Sequence, residues 1–140
     1  MRVKRASYKN MTVQMALNLA APHTWPAAII PAFIASCAAT RVGQLSVTMT
    51  VVLLVIVILM QSAVNTFNDY YDYVKGTDSD QDNVDPSDAV LVYNNIDPRS
   101  ALLLAIGFLV AAFALGIYAI VKAGFVPLVI ALVEIGRAHV

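Results

Sequence analysis

Asn65, Asn68, Asp69 and Asp72 carry the most distinctive chemistry in this chain of 140 residues, within the run N-T-F-N-D-Y-Y-D-Y-V-K-G-T-D from Asn65 to Asp78. On a continuing helix each residue advances about 100°, which sets these four at about 0°, 300°, 40° and 340°. They share one face, and Gln61, at about 320°, joins the stripe. Two carboxylates one turn apart, flanked by amides, form a set of hard oxygen donors. Such a set suits Mg²⁺, which keeps several waters and binds through one or two carboxylates plus substrate phosphates. Asp69 and Asp72 are therefore expected to hold magnesium against a diphosphate. Asn65 and Asn68 are expected to contact the metal or the phosphate oxygens, and Lys75 to pair with the phosphate directly.

The other residues of this region invite plainer readings. A solvated loop that only sets topology accounts for Asp80, Asp82, Asp85, Asp88 and Asp97. For Asp69 and Asp72 a site is the stronger reading, since ionisable groups at the end of a membrane helix tend to mark function. Tyr70, Tyr71 and Tyr73 are expected to anchor the chain at a membrane interface; the functional option is a ring face against a cation. Asp78, Asp80 and Asp82 repeat the first spacings of a calcium loop. Asn83 then stands where the tight-turn glycine belongs and Ala89 where the bidentate glutamate belongs, so an EF-hand is excluded.

The elements that must position these groups are apolar. Hydrophobic residues make up 59% of the chain and charged ones 13%, with a mean hydropathy of +0.72. Soluble domains run at about 45–50% and about 25%. Nine basic residues balance nine acidic ones, so no basic surface exists for a nucleic acid. The single cysteine, Cys37, excludes an internal disulfide framework and a Cys-rich zinc site, and is expected to pack in an apolar stretch. All eight aspartates lie between Asp69 and Asp97, while Arg2, Lys4, Arg5 and Lys9 cluster at the start. This is the layout of a membrane protein with one acidic working loop.

Residues 11–21 suit a short amphipathic helix along the membrane surface. A first span runs from about Trp25 to Thr40, extended back to Leu19 for length, with Pro22, Pro26 and Pro31 as kinks. The prolines and the late apolar start argue against a signal peptide. Val47–Val64 is the second span, Ala101–Val121 the third, and Ala123–Val133 begins a fourth. With the N-terminus inside, six basic residues (Arg2, Lys4, Arg5, Lys9, Lys75, Arg99) face the cytoplasm against two outside (Arg41, Lys122). That asymmetry puts the N-terminus and the acidic loop in the cytoplasm. Residues 134–140 (EIGRAHV) would place Glu134 and Arg137 in mid-span, at a cost of about 2.5 kcal/mol or more each. They back-translate to a stretch resembling a sequencing-library adapter. The tail is thus expected to be artefact, leaving residues 1–133 as the N-terminal part of a longer domain.

The run from Asn68 to Asp78 resembles the first Asp-rich motif of the UbiA superfamily of membrane prenyltransferases, N-D-x-x-D-x-x-x-D in many members. Here Gly76 replaces the last Asp and Asp78 follows two residues later. The form N-D-Y-x-D-x-x-x-G-x-D is similar to the 1,4-dihydroxy-2-naphthoate branch, which makes menaquinone. Pro22-His23-Thr24-Trp25-Pro26-Ala27-Ala28-Ile29-Ile30-Pro31 also resembles that branch, whose R-P-x-T-L-P-A-A-x-x-P opens the first span; Ala21 replaces the usual Arg. The resemblance covers about residues 19–133. It implies an all-α, multi-span transmembrane bundle of about nine helices, of which this chain holds three and part of a fourth. It implies transfer of a prenyl group from a polyprenyl diphosphate to an aromatic ring within a bacterial inner membrane. Magnesium would neutralise the leaving diphosphate, with Asp69 and Asp72 metal-linked, Asn65 and Asn68 their polar partners and Asp78 a displaced third acid. Family members often carry basic residues after the motif; here that stretch offers Arg99, with Asn94 and Asn95 either touching substrate or making a turn. The second Asp-rich motif is absent, so this chain alone is expected to be inactive. A CDP-alcohol phosphotransferase is excluded by the lack of D-G-x-x-A-R. The rival from another class is a small membrane subunit or transporter fragment whose acidic loop sets topology.

Overall fold

A computed structural model describes residues 7–41, 43, 46–76, 90–126, 129 and 132–133, and among them every long element is a helix. Thr12 caps α1 (Val13–Ala20) through its hydroxyl, which accepts the Met15 N–H at 3.2 Å. The helix stops at Ala21, where the following proline disfavours the right-handed conformation, and Ala21 takes the left-handed C-cap conformation at φ 49°. Pro22–Thr24 form a 3₁₀ turn that feeds α2 (Trp25–Arg41). The span expected to run back to Leu19 is therefore two helices joined by a break. Of its three prolines, Pro22 opens the turn, Pro26 sits in the first turn of α2 where its missing N–H costs nothing, and Pro31 lies inside α2.

α3 (Val47–Lys75) begins at Ser46, whose hydroxyl accepts the Met49 N–H at 3.3 Å, and ends at Gly76 with φ 72°. Its 29 residues extend for about 43 Å, against about 30 Å of hydrocarbon in a bilayer. The helix expected over Val47–Val64 thus continues for about three further turns, carrying the Asn/Asp stripe with it. After the segment 77–89, outside the described residues, a short α4 (Val90–Asn94) leads to α5 (Pro98–Ala123). The Asp97 carboxylate caps α5 by accepting the Arg99 N–H at 3.0 Å, with Pro98 at the first helical position.

α3 is the centre of the packing, and its most extensive partner is α5. Ala101, Ala105, Ala112 and Ala119 are the buried residues of α5. At about 100° per residue they fall within about 40° of one another, a strip without bulk that lets the α5 backbone approach its neighbour. The large buried side chains gather instead at the α4 end, where Leu19, Val90, Leu91 and Ile96 close over Ala101 with Tyr70 and Tyr73 against them. Two sequence expectations change here. The helix at 13–20 buries Leu19 and Ala20 rather than only lying on a surface. Residues 90–97 are not a solvated loop: Ile96 is buried, Asp97 is a cap, and Asn95 (φ 49°) donates from Nδ2 to the Ser7 carbonyl at 3.0 Å. Asn94 donates to the Val90 carbonyl, so both asparagines make the turn.

Elsewhere the helices are apolar outward. Phe33, Ile34, Leu103, Val110 and Phe113 are exposed, and so is Cys37, which was expected to pack. A surface of this kind would be untenable in water and suits hydrocarbon or further helices. α3 and α5 are each long and apolar enough to cross a bilayer, and α2, at 17 residues, is at the short limit.

The alanine strip gives the first prediction. Ala105→Leu should cost about 1–3 kcal/mol by overpacking and lower the thermal midpoint in mild detergent, whereas Leu at exposed Ala111 should leave it unchanged.

Candidate functional site

Beyond Gln61 the inward face of α3 turns polar, and its groups meet the broken joint between α1 and α2. Breaking a helix frees carbonyls that must find donors. The Thr66 hydroxyl serves Leu19 O at 3.3 Å and Ser62 O at 2.7 Å. The Asn65 amide nitrogen donates to Ala20 O at 3.0 Å and to Thr24 Oγ1 at 2.7 Å. Trp25 Nε1 adds a second donor to Ala20 O at 3.2 Å, and the Thr24 hydroxyl closes the turn onto Ala21 O at 2.9 Å. Gln61, the upper end of the stripe, reaches Thr24 Oγ1 and Asn65 Oδ1, both at 3.4 Å.

This lattice walls a cavity of about 260 Å³. α3 contributes Asn65, Asn68, Asp69 and Asp72; the opposite wall is Asn18 and Leu19 of α1 with Ala21, His23 and Thr24 of the joint. The four residues expected to share a face do converge on one space. Their duties differ. Asn65 spends its amide hydrogens on the joint, so it positions the wall. Asp69 is 7% exposed and accepts the backbone N–H groups of Val90 at 3.0 Å and Leu91 at 3.4 Å, the start of α4. These are charge-assisted bonds that fix the carboxylate and dock α4 together. Asn68 is exposed and Asp72 half-buried at the cavity's open side.

Lys75 does not line the cavity. Its ammonium lies 5.9 Å from the ring centre of Tyr71, which is itself half exposed, stacked on Phe67 at 6.3 Å and edge-on to Tyr70 at 5.4 Å. The cation against a tyrosine face is thus the chain's own lysine. Tyr70 and Tyr73 pack into the core rather than serving only as anchors. Asp78, expected as a third acid, and residues 134–140 lie outside the described residues.

Asn18, His23 and Thr24 were missed as site residues. His23 and Thr24 stand in the proline-rich stretch read as a kinked span, and no linear pattern sets them beside α3. The signal was the Ala21–Pro22 step, which breaks the helix and brings Thr24 to Asn65.

Among the described residues no three acidic, histidine or cysteine side chains gather as a metal cluster. The donors present are the two carboxylates, Asp69 and Asp72, beside amide oxygens. That is a fit for magnesium, an ion that takes one or two carboxylates and completes its shell with water and phosphate.

The two aspartates should separate in stability. Asp69→Asn turns one acceptor into a donor facing backbone N–H groups. It should cost about 1–3 kcal/mol, lowering the thermal midpoint and speeding amide exchange at Val90 and Leu91. Asp72→Asn should leave both readings near those of the parent chain.

Comparison with known proteins bears on the same residues. The sequence profile of the UbiA prenyltransferase family matches residues 28–136. The chain is 28% identical over 113 residues to a 1,4-dihydroxy-2-naphthoate octaprenyltransferase of Bacillus subtilis (strain 168). The match takes in 81% of this chain and 36% of that protein, so the chain spans about a third of the length of this relative. No solved structure gives a significant match. With the profile covering well over half of its residues, the chain belongs to the UbiA prenyltransferase family.

Proposed function

We propose that this chain is the N-terminal part of an integral-membrane prenyltransferase that moves a polyprenyl group from its diphosphate to an aromatic acceptor. The observation that carries the reading is the convergence of Asn65, Asn68, Asp69 and Asp72 on one polar cavity at the end of an apolar helix. The name of the Bacillus subtilis relative supports 1,4-dihydroxy-2-naphthoate as the acceptor, and hence a place in menaquinone biosynthesis.

In this reading Asp72 and Asp69 would hold Mg²⁺, and Asp78 would be the further acid. Bound there, magnesium would supply neutralisation of the negative charge that builds on the departing diphosphate. The Asp69 carboxylate is already fixed by the N–H groups of α4, so it would need little reorganisation to take a metal ion. Asn68, at the open side, donates to diphosphate oxygens. Asn65 keeps the opposite wall in place. In the transfer the carbon–oxygen bond of the allylic diphosphate breaks, a carbon–carbon bond to the ring forms, and the ring carbon's own substituent leaves, as a proton from a C–H carbon or as carbon dioxide from the carboxyl-bearing carbon. The apolar helices keep water from the allylic carbon meanwhile. The cavity opens toward the cytoplasm, following the basic residues of the N-terminus. Alone, the chain binds diphosphate but does not turn over, because the partner Asp-rich loop belongs to the remaining helices.

The test is the whole protein in membranes with polyprenyl diphosphate, 1,4-dihydroxy-2-naphthoate and Mg²⁺. Asp72→Asn should lower product formation by at least about 100-fold, the scale set by removing one preorganised charge-stabilising group. Retention of full activity in that variant would sink the assignment. Resequencing the source locus through codon 133 should reveal further apolar spans and a second Asp-rich loop; a stop codon directly after residue 140 would count against the partial-domain reading.

A further inference from the structure

We infer that His23 is the N–H-donating partner of the diphosphate in this cavity, the task that sequence order assigns to Lys75. The inference rests on the diphosphate reading of the site. Three observations carry it. Lys75 is turned onto Tyr71, 5.9 Å from the ring centre. His23 lines the cavity together with Asn68, Asp69 and Asp72. Among the described residues it is the one basic side chain that does so: α1 and α4 carry no charged residue, and α3 contributes two amides and two carboxylates to the wall.

The joint holds His23 in register. Ala21 turns the chain at φ 49°, and the bonds from Asn65 and Trp25 to Ala20 O and from Asn65 to Thr24 Oγ1 clamp both ends of the turn. His23 therefore lines the same cavity as the carboxylates of α3, on a joint braced by the protein's own hydrogen bonds. A diphosphate whose magnesium Asp69 and Asp72 would hold could take its further hydrogen bond from the histidine N–H. This is the usual division of a diphosphate site between a metal and a fixed donor.

The test uses the full chain in lipid nanodiscs with magnesium diphosphate as the probe. Affinity is read by calorimetry, and the ¹⁵N signals of the imidazoles by magnetic resonance. The chain has two histidines, so His23→Gln assigns the signals. Magnesium diphosphate should shift the His23 signal. His23→Ala should weaken binding about tenfold, as expected for loss of one charge-assisted hydrogen bond. His23→Lys should restore most of the affinity, which a merely structural histidine would not allow. Unchanged circular dichroism in all three variants confirms that the fold persists. Binding that responds to Asp72→Asn while the His23 signal stays still would overturn the role of His23 and leave the magnesium–diphosphate site standing. Absence of diphosphate binding in the parent chain would overturn both.

Discussion

A helix broken next to an apolar span must have its freed carbonyls satisfied from within the protein, and this molecule is arranged around that requirement. Ala21 ends α1 because Pro22 follows it. Leu19 O and Ala20 O are then left without helical donors, and α3 supplies them from Thr66 and Asn65. Placing polar side chains on α3 for this purpose opens a polar space beside it. The cavity follows from solving the backbone problem, and the same stripe that braces the joint presents the carboxylates.

This explains why one helical face performs two kinds of work. Gln61, Asn65 and Thr66, nearer the span, are committed to the joint. Asn68 and Asp72, one turn further out, look into the cavity. Asp69 belongs to both groups. It lines the cavity and ties down α4, whose Val90 and Leu91 fill the core under Tyr70 and Tyr73. The position of Asp69 in the cavity wall and the seating of α4 are therefore mechanically linked. A buried carboxylate held by two backbone donors also avoids the cost that an unpartnered charge would incur there.

The distribution of side-chain size reinforces that division. Bulky residues pack at the α4 end of the bundle, around Leu19, Leu91 and Ile96, and Leu19 is also part of the cavity wall. Along the spans the contact between α3 and α5 is made by alanines, while the large apolar side chains point away. Outward-facing bulk on α2, α3 and α5 fits a family in which this segment is about a third of a relative's length. Those faces are suited to lipid and to further helices in equal measure, since both are apolar.

The sequence by itself determined the helical class, the spans at Val47–Val64 and Ala101–Val121, and the shared face of Asn65, Asn68, Asp69 and Asp72. Each of these depends on local quantities: the length of an apolar run and the 3.6-residue period of a helix. Tertiary structure decided which of those residues look into the cavity and which are spent on hydrogen bonds. It also decided that Val90–Ile96 folds into the core and that Asn18, His23 and Thr24 form the opposite wall. Those outcomes depend on contacts between segments some 20 to 45 residues apart, such as Asn65 with Ala20 and Asp69 with Val90. No periodicity in the chain encodes such a meeting; it arises when the carbonyls freed at Ala21–Pro22 find their donors on α3.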